Sequence, residues 1–162
     1  MTTNRSVDLS LDELPGHYIR RLQQMAVAIF LDETSAYGIT PVQYAAMQAV
    51  HDRPELDQRS LSRAIGFDTS TTGGVIDRLE KRGLMRRNAS AEDRRVRLLT
   101  LTPEGEALLD EVRPAMLRAQ VRMLEPLPAS ERQNFMAMLK VLVTRSDHEF
   151  GAAPDEAKDG SA

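Results

Sequence analysis

The fold is decided by residues 57–101, which read DQRSLSRAIGFDTSTTGGVIDRLEKRGLMRRNASAEDRRVRLLTL. Asp57 and Asp68 each precede a stretch with the apolar period of a helix, in the position of an N-cap. Gly66 and Gly83 stand where those stretches end, as helix-terminating glycines do. Two short helices joined by a tight turn that contains glycine are typical of a helix-turn-helix, so we predict one here.

The second half of this segment predicts a β-hairpin. After Gly83 the helical period gives way to a pattern closer to that of strands, and we predict strands at 84–88 and 96–101. The connector 89–95 between them is polar and charged. We therefore expect a hairpin with a basic tip directly after the helix-turn-helix.

Helical segments flank this region on both sides. Apolar residues between Leu14 and Phe30 follow two lines along one predicted helix, which indicates two packing partners. Thr40 and Pro41 are typical of a helix start, and so are Thr102 and the residues that follow it. Two further helices are predicted towards the C-terminus, and a proline at position 114 predicts a kink in the first of them.

Composition restricts the class of protein. The chain has 162 residues, 41% hydrophobic and 28% charged, which fits one globular domain with appended segments. Only 4% of the residues are aromatic, which disfavours an all-β sandwich, and the absence of cysteine excludes disulfides and thiolate metal sites. The N-terminus lacks an apolar signal core, and the longest uncharged apolar run, residues 25–31, is too short to span a membrane. We therefore expect a soluble, cytoplasmic protein without membrane contact.

The distribution of charge points to a nucleic-acid partner. The formal net charge is -3, but residues 53–97 contain eleven basic and seven acidic side chains, whereas the rest of the chain contains ten and seventeen. A basic middle between acidic ends is typical of a protein whose central part meets phosphates.

Three motifs in this order resemble the MarR family of bacterial transcription regulators. They are GITPVQY at 38–44, VIDRLEKRGL at 75–84, and DRR at 93–95 followed by LTLTPEG at 99–105. The resemblance covers about Leu14 to Arg145. It implies a mainly α fold with a small β-hairpin wing, that is, a winged helix-turn-helix in an intertwined homodimer. It also implies a ligand-responsive regulator, expected to be a repressor, on a pseudo-palindromic double-stranded DNA operator.

The patterns along the chain and the resemblance together predict a division into five parts. These are a flexible arm at 1–12, a dimerisation helix at 13–38, the DNA-binding lobe at 39–102, C-terminal dimerisation helices at 103–148 and a disordered tail at 149–162.

Candidate DNA contacts lie on the predicted second helix of the helix-turn-helix and in the hairpin. Short hydroxyl side chains and glycines at a helix N-terminus approach phosphates and base edges closely, and arginine suits a narrow, negative minor groove. By resemblance Arg95 is the arginine that enters this groove, with Asp93 bracing it. On the predicted strands, Arg86, Arg87 and Arg97 can add positive charge near the DNA backbone. An ordinary solvated surface is the alternative interpretation. The candidate set is Gln58, Arg59, Thr69, Ser70, Thr71, Gly73, Arg78, Arg86, Arg94, Arg95 and Arg97.

A second set of residues predicts an effector site. His17, Tyr18 and Arg21 share a face of the first helix, and Met47 and His51 share a face of the second. Together they offer a cation, imidazoles and an apolar wall to a small aromatic or heteroaromatic carboxylate. The stretch 15–24 also resembles the first helix of relatives that control the breakdown of such acids. Hydrogen bonds within a dimer interface are the alternative role for these side chains.

Other classes of function find little support in the sequence. His17, His51 and His148 lack the spacing of a zinc site, and no Gly-rich phosphate loop or nucleophile motif is present. We therefore expect neither a metal, nor a cofactor, nor an enzyme. The alternative function is a winged-helix module that binds protein or organises DNA without a small-molecule effector. If a metabolite releases the protein from DNA, the ligand-responsive regulator is the correct interpretation.

Overall fold

The computed structural model describes residues 10–93 and 95–150, with side chains to residue 144. A 3-10 turn at Leu11–Glu13 leads into helix α1, Pro15–Thr34, and a second 3-10 turn spans Ser35–Tyr37. The remaining elements follow in chain order: α2 Pro41–Asp52, β1 Leu56–Asp57, α3 Gln58–Ile65, α4 Thr69–Lys81, β2 Met85–Ala89, β3 Arg97–Leu101, α5 Pro103–Leu124 and α6 Ala129–Phe150. This order confirms the predicted winged helix-turn-helix flanked by long helices.

The starts of α2, α3, α4 and α5 are each held by a side-chain cap. Thr40 and Gln43 form a reciprocal capping box at α2. The carboxylates of Asp57 and Asp68 accept the backbone N–H groups of the residues three positions on, and Thr102 does the same at α5. These caps satisfy N–H groups that a helix start leaves without partners, and they fix where α2 to α5 begin.

The turn between α3 and α4 depends on glycine. Gly66 adopts a left-handed conformation, with φ of 70°, directly after α3. This conformation is strained for residues with a Cβ atom, so glycine allows the chain to turn tightly and start α4 at Thr69, with Asp68 as its N-cap. α3 and α4 therefore pack against each other as a helix-turn-helix.

The sheet has three antiparallel strands rather than the two of the predicted hairpin. Its order is β1-β3-β2, with Leu56 opposite Leu99 and Met85 opposite Leu101. The additional strand β1 has only two residues, which is too short to show a period in the sequence. Leu84 and Val96, which we predicted in strands, lie just outside them.

One core holds the lobe together. It is formed by apolar side chains of α2, α3, α4, β2 and β3, with Phe30 of α1 and Leu109 of α5 at its border. Met47, Leu61, Ile76, Leu79 and Leu99 are completely buried there. The predicted inner line of α4, namely Thr72, Val75, Ile76 and Leu79, is buried as expected.

The long helices α1, α5 and α6 bury fewer of their apolar side chains than the lobe does. α1 packs along α5, and ion pairs of Arg118 with Glu33 and of Arg122 with Asp32 and Glu33 join these two helices. α5 runs without a break through Pro114, so the predicted kink does not interrupt the helix. All three long helices leave large apolar side chains in solvent: Tyr18, Ile19, Met25 and Leu31 on α1, Leu117 and Val121 on α5, and Met136, Met138, Val141, Leu142 and Val143 on α6.

Candidate functional site

The N-terminal part of α4 presents a surface of hydroxyl groups. Thr69, Ser70 and Thr71 are exposed at the helix start, on the side opposite the buried line. The Asp68 carboxylate accepts hydrogen bonds from the Thr71 N–H at 2.8 Å and the Thr71 hydroxyl at 2.5 Å. These bonds, that of the hydroxyl first, lower the pKa of Asp68 below its usual value. The first turn of α4 is therefore held rigidly while its outer hydroxyls stay accessible.

Gly73 allows a close crossing of α3 and α4. A Cβ atom at this position would lie 2.9 Å from Nε2 of Gln58, and that amide group donates a hydrogen bond to the Thr69 carbonyl at 2.9 Å. Gln58, which we predicted as a phosphate contact, thus uses its side-chain donor to connect the two helices. Gly73 makes room for this bond and contributes to the architecture of the helix-turn-helix.

Gly74 has a different environment from its neighbour. The nearest atoms to a Cβ at this position belong to the Arg78 guanidinium, at 3.8 Å. Arg78 is exposed, and within the part of the chain that the structure describes its guanidinium has no hydrogen bond or ion pair. An available cation therefore lies beside the hydroxyl groups of the same helix.

The hairpin carries three further arginines without a side-chain partner among the described residues. Arg86 lies on β2, Arg97 on β3 and Arg95 in the connector, and all three are exposed. The backbone N–H of Arg95 donates to Asp93 Oδ1 at 2.9 Å, so this aspartate braces the main chain of the tip. Arg94 of the predicted set lies outside the described residues.

Two arginines of the basic segment are engaged in the fold. The Arg82 guanidinium donates to the carbonyls of Gly38 and Tyr37, at 2.8 and 3.4 Å, and so holds the turn that precedes α2. Arg87 forms ion pairs with Asp77 and Glu80 of α4. Both partners of Arg87 are acids, so the fold itself balances the charge that we expected this arginine to add near a DNA backbone. Arg59, predicted as a phosphate contact, is exposed on α3.

The predicted effector residues fall into three places within one chain. The rings of His17 and Tyr18 meet edge to face at 5.4 Å on α1, where Arg21 is exposed. His51, at the end of α2, pairs through Nδ1 with Glu106 of α5 at 2.7 Å. Met47 is completely buried in the lobe core, so it contacts apolar neighbours there and no surface.

An open cavity of about 500 Å³ lies elsewhere, between α1, α2, α3 and α5. It is lined by Phe30, Pro41, Tyr44, Ala45, Gln48, Ala49, Asp52, Arg53, Ala64, Ile65 and Met116, none of which we predicted as effector contacts. The helical period places positions 41, 45, 48 and 52 on one side of α2, and this period is the signal that sequence reasoning missed.

The walls of this cavity combine aromatic rings with polar groups. The Phe30 and Tyr44 rings contact each other with centroids 6.0 Å apart. Burial raises the pKa of the Tyr44 phenol, which therefore stays protonated and donates to Gln48 Oε1 at 3.2 Å. Gln48 in turn donates to Asp52 at 2.8 Å. The Arg53 guanidinium has no partner among the described residues, so one wall offers a cation to a ligand.

The described residues provide neither a metal-binding cluster nor a membrane span. In residues 10–144, position 94 excepted, no three histidine, cysteine, aspartate or glutamate side chains form a group that fits a metal ion. Over the described part of the chain, no helix combines the length and apolar character of a membrane span.

Comparison with known proteins gives a consistent result. A family model described as MarR family matches residues 39–96. The HTH-type transcriptional repressor NicR of Pseudomonas putida is 30% identical over 139 residues, which cover 86% of this chain and 87% of NicR.

Two solved structures are similar over nearly their full length. BpsR of Bordetella bronchiseptica, whose DNA binding is regulated by 6-hydroxynicotinic acid, superposes with a TM-score of 0.80 at 30% identity, covering 83% of this chain and 96% of that one. The transcriptional repressor CouR bound to a 23-mer DNA duplex gives a TM-score of 0.78 at 27% identity, covering 84% of this chain and 99% of that one.

Proposed function

The chain belongs to the MarR family, and from this premise we propose that it is a ligand-responsive transcription repressor that binds a pseudo-palindromic operator as a homodimer. Its relatives are transcription regulators, and it is not an enzyme. A protein that meets both a chromosomal operator and a metabolite works in the cytoplasm.

The observation that carries the proposal is the availability of cations around α4. Arg78 on this helix and Arg86, Arg95 and Arg97 in the hairpin have no side-chain partner among the described residues. Clustered arginines beside exposed hydroxyl groups suit a duplex, because the cations neutralise phosphates and the short side chains reach base edges. We infer that α4 enters the major groove and that Arg95 enters the adjacent minor groove.

The long helices supply the dimer in this proposal. Segments 13–38 and 103–148 hold the two lobes, each formed by residues 39–102, on either side of a two-fold axis. The exposed apolar side chains of α1, α5 and α6 are then covered by the partner. A two-fold dimer reads half-sites about one helical turn apart, roughly 34–36 Å, which is why the operator is expected to be pseudo-palindromic.

Selection of duplexes from a random pool, followed by titration of the selected duplex and of random DNA, tests the DNA-binding role. Wild type should prefer the selected duplex, and raising the salt concentration should weaken binding to both. Arg95→Ala should lose about 1–3 kcal/mol on the selected duplex and remain folded. Arg82→Ala is the matched control, because it removes an arginine that holds the fold. This variant should lose thermal stability before it loses affinity for DNA. An absence of sequence preference in wild type would contradict the function.

The effector is proposed to be a small aromatic or heteroaromatic carboxylate. This proposal is supported by BpsR, which is similar over most of the chain and whose DNA binding is regulated by 6-hydroxynicotinic acid. The cavity beside α2 fits such a molecule, because Phe30 and Tyr44 offer rings and Arg53 offers a cation. The predicted set of His17, Tyr18, Arg21, Met47 and His51 remains the second candidate site.

Calorimetric titration with benzoates, hydroxycinnamates and nicotinates distinguishes the two sites. Arg53→Ala should bind DNA normally, yet need about ten- to a hundredfold more ligand for half release, since a lost charged hydrogen bond costs about 1.5–3 kcal/mol. Arg63→Ala, an exposed arginine of α3, is its control. If Arg21→Ala, but not the adjacent Arg20→Ala, needs more ligand for half release, the effector carboxylate binds at α1 instead. If none of these aromatic carboxylates binds the wild-type protein, a winged-helix module without a small-molecule effector becomes the better interpretation.

A further inference from the structure

Arg87 makes three contacts with α4 from the neighbouring strand β2. Its guanidinium pairs with Asp77 Oδ1 at 2.7 Å and with Glu80 Oε2, and its backbone N–H donates to Glu80 Oε1 at 2.9 Å. Main chain and side chain of one residue are thus bound to the same helix. Such a double attachment restricts both the position and the rotation of the strand relative to α4.

Strand alternation explains why Arg87 and not Arg86 makes these contacts. Successive side chains of a strand point to opposite faces. Met85 is buried and Arg87 is half-buried on the inner face, with 25% of its side chain exposed, whereas Arg86 is exposed on the outer face. Asp77 and Glu80 are three residues apart and so lie on one side of α4. The forked guanidinium fits between two carboxylates in this arrangement.

We propose that Arg87 is a positioning residue that fixes the hairpin at the angle to α4 that specific DNA binding requires, without contacting DNA itself. The inference rests on the proposed DNA-binding function. If α4 lies in the major groove and the hairpin tip in the minor groove, both must fit the duplex at once. A hairpin held by Arg87, Asp77 and Glu80 reaches DNA already oriented, whereas a loosened hairpin must be ordered during binding, which weakens the specific complex.

The first test keeps every charge in place. Arg87→Lys preserves the cation but loses the fork that joins two acids, so affinity for the selected duplex should fall about three- to tenfold. Affinity for random DNA and the slope of affinity against salt should stay unchanged, because no phosphate contact is lost. Arg113→Lys is the control, because this exposed arginine of α5 pairs with Asp110 at 2.8 Å and belongs to no proposed DNA contact, so both affinities should stay unchanged.

The second test distinguishes two explanations, because they predict opposite changes in DNA affinity for Asp77→Asn. Asp77→Asn removes a negative charge from the proposed DNA-binding helix, so simple electrostatics predicts tighter binding to all DNA. Loss of the contact with Arg87 predicts weaker binding to the selected duplex instead. Glu92→Gln removes a comparable acid from the hairpin connector, where its side chain has no partner among the described residues, and should not weaken either complex.

These measurements separate the positioning role from its alternatives. The Asp77 side chain is 58% exposed, so Asp77→Asn should fold even if Arg87→Lys does not, and thermal unfolding of each variant shows this directly. Tighter binding by Asp77→Asn on both duplexes would mean that Arg87 is a DNA contact restrained by the acid. Unchanged specific affinity in a folded Arg87→Lys protein would overturn the proposal. Absence of sequence preference in wild type would refute the proposed function rather than this role.

Discussion

At the scale of single residues, the local partners of a side chain decide its role more than its type does. Arg86 and Arg87 are adjacent arginines, yet one is exposed and the other pairs with two acids. Gly73 and Gly74 are adjacent glycines, yet a Cβ atom would meet Gln58 at 2.9 Å in one case and nothing closer than 3.8 Å in the other. Neighbouring positions on a strand or helix face different surroundings, so identical residues acquire different functions.

Two glycine substitutions should change stability in opposite directions. A Cβ atom at Gly105 would lie 2.0 Å from the Leu84 carbonyl oxygen, which is backbone and cannot move aside easily. Gly105→Ala should therefore destabilise the protein by about 1–3 kcal/mol or more. Gly74→Ala has space and should stabilise α4 by about 1 kcal/mol through its higher helix propensity. Denaturant unfolding of both variants checks this, and equal effects would contradict the close approach at Gly105.

At the scale of secondary-structure elements, caps and faces determine where helices begin and what they bury. The N-caps of α2, α3, α4 and α5 all accept a hydrogen bond from the third residue of their helix. Because this interaction involves a few neighbouring residues, it can be recognised in the sequence. Strand β1 shows the opposite case, since its two residues form a strand only through pairing with β3.

The cap at Asp57 should make part of the stability depend on pH. The hydrogen bond from the Ser60 backbone N–H, at 2.6 Å, is the main reason that the pKa of Asp57 is lowered in the folded protein. A lowered folded-state pKa means that the stabilisation is complete above the unfolded value of about 3.9 and is lost as pH falls through the folded value. Asp57→Ala should thus cost about 1 kcal/mol at pH 7.

Urea unfolding of wild type and Asp57→Ala over a range of pH measures this contribution. The difference in the free energy of unfolding between the two proteins should be constant near neutral pH. It should disappear in acid, below the usual aspartate pKa. Asp57→Asn is the control, because an asparagine caps a helix without titrating. If this difference in the free energy of unfolding persists in acid, the charge of the carboxylate is not the cause of the stabilisation.

At the scale of the whole molecule, one chain buries the lobe but not the long helices. Leu117 and Val121, one turn apart on α5, are 60% and 62% exposed, and Val141 on α6 is 67% exposed. Large apolar side chains left in solvent along the helices of a folded chain mark an interface. In the proposed function a second copy covers it and also sets the distance between the two lobes.

Breaking the dimer should therefore abolish specific DNA binding without unfolding the lobe. Val121→Asp places a charge where the partner would exclude water, so the variant should sediment as a monomer, whereas wild type should sediment at about twice 18.1 kDa. Ala107→Asp introduces the same acid at an exposed position nearer the lobe and should remain dimeric. A monomeric wild type at micromolar concentration, or a dimeric Val121→Asp, would contradict this assembly.

Interactions close in sequence made much of this protein predictable. The helix-turn-helix, its caps at Asp57 and Asp68, the buried line of α4 and the position of the hairpin all follow from patterns within about a dozen residues. Helical and strand periods and capping bonds depend on near neighbours, and they are therefore written in the sequence itself.

Contacts between distant segments decided the rest. The cavity between α1, α2, α3 and α5, the short strand β1 and the burial of Met47 all depend on how separate helices pack. The pairing of Arg87 with Asp77 and Glu80 has the same origin, because β2 and α4 meet only after the chain turns at Gly83. Local sequence determined where the helices and the hairpin form and which side chains carry charge. Only the tertiary structure determined which of those charges are neutralised by an acid and which remain available, because ion pairing depends on distance in space.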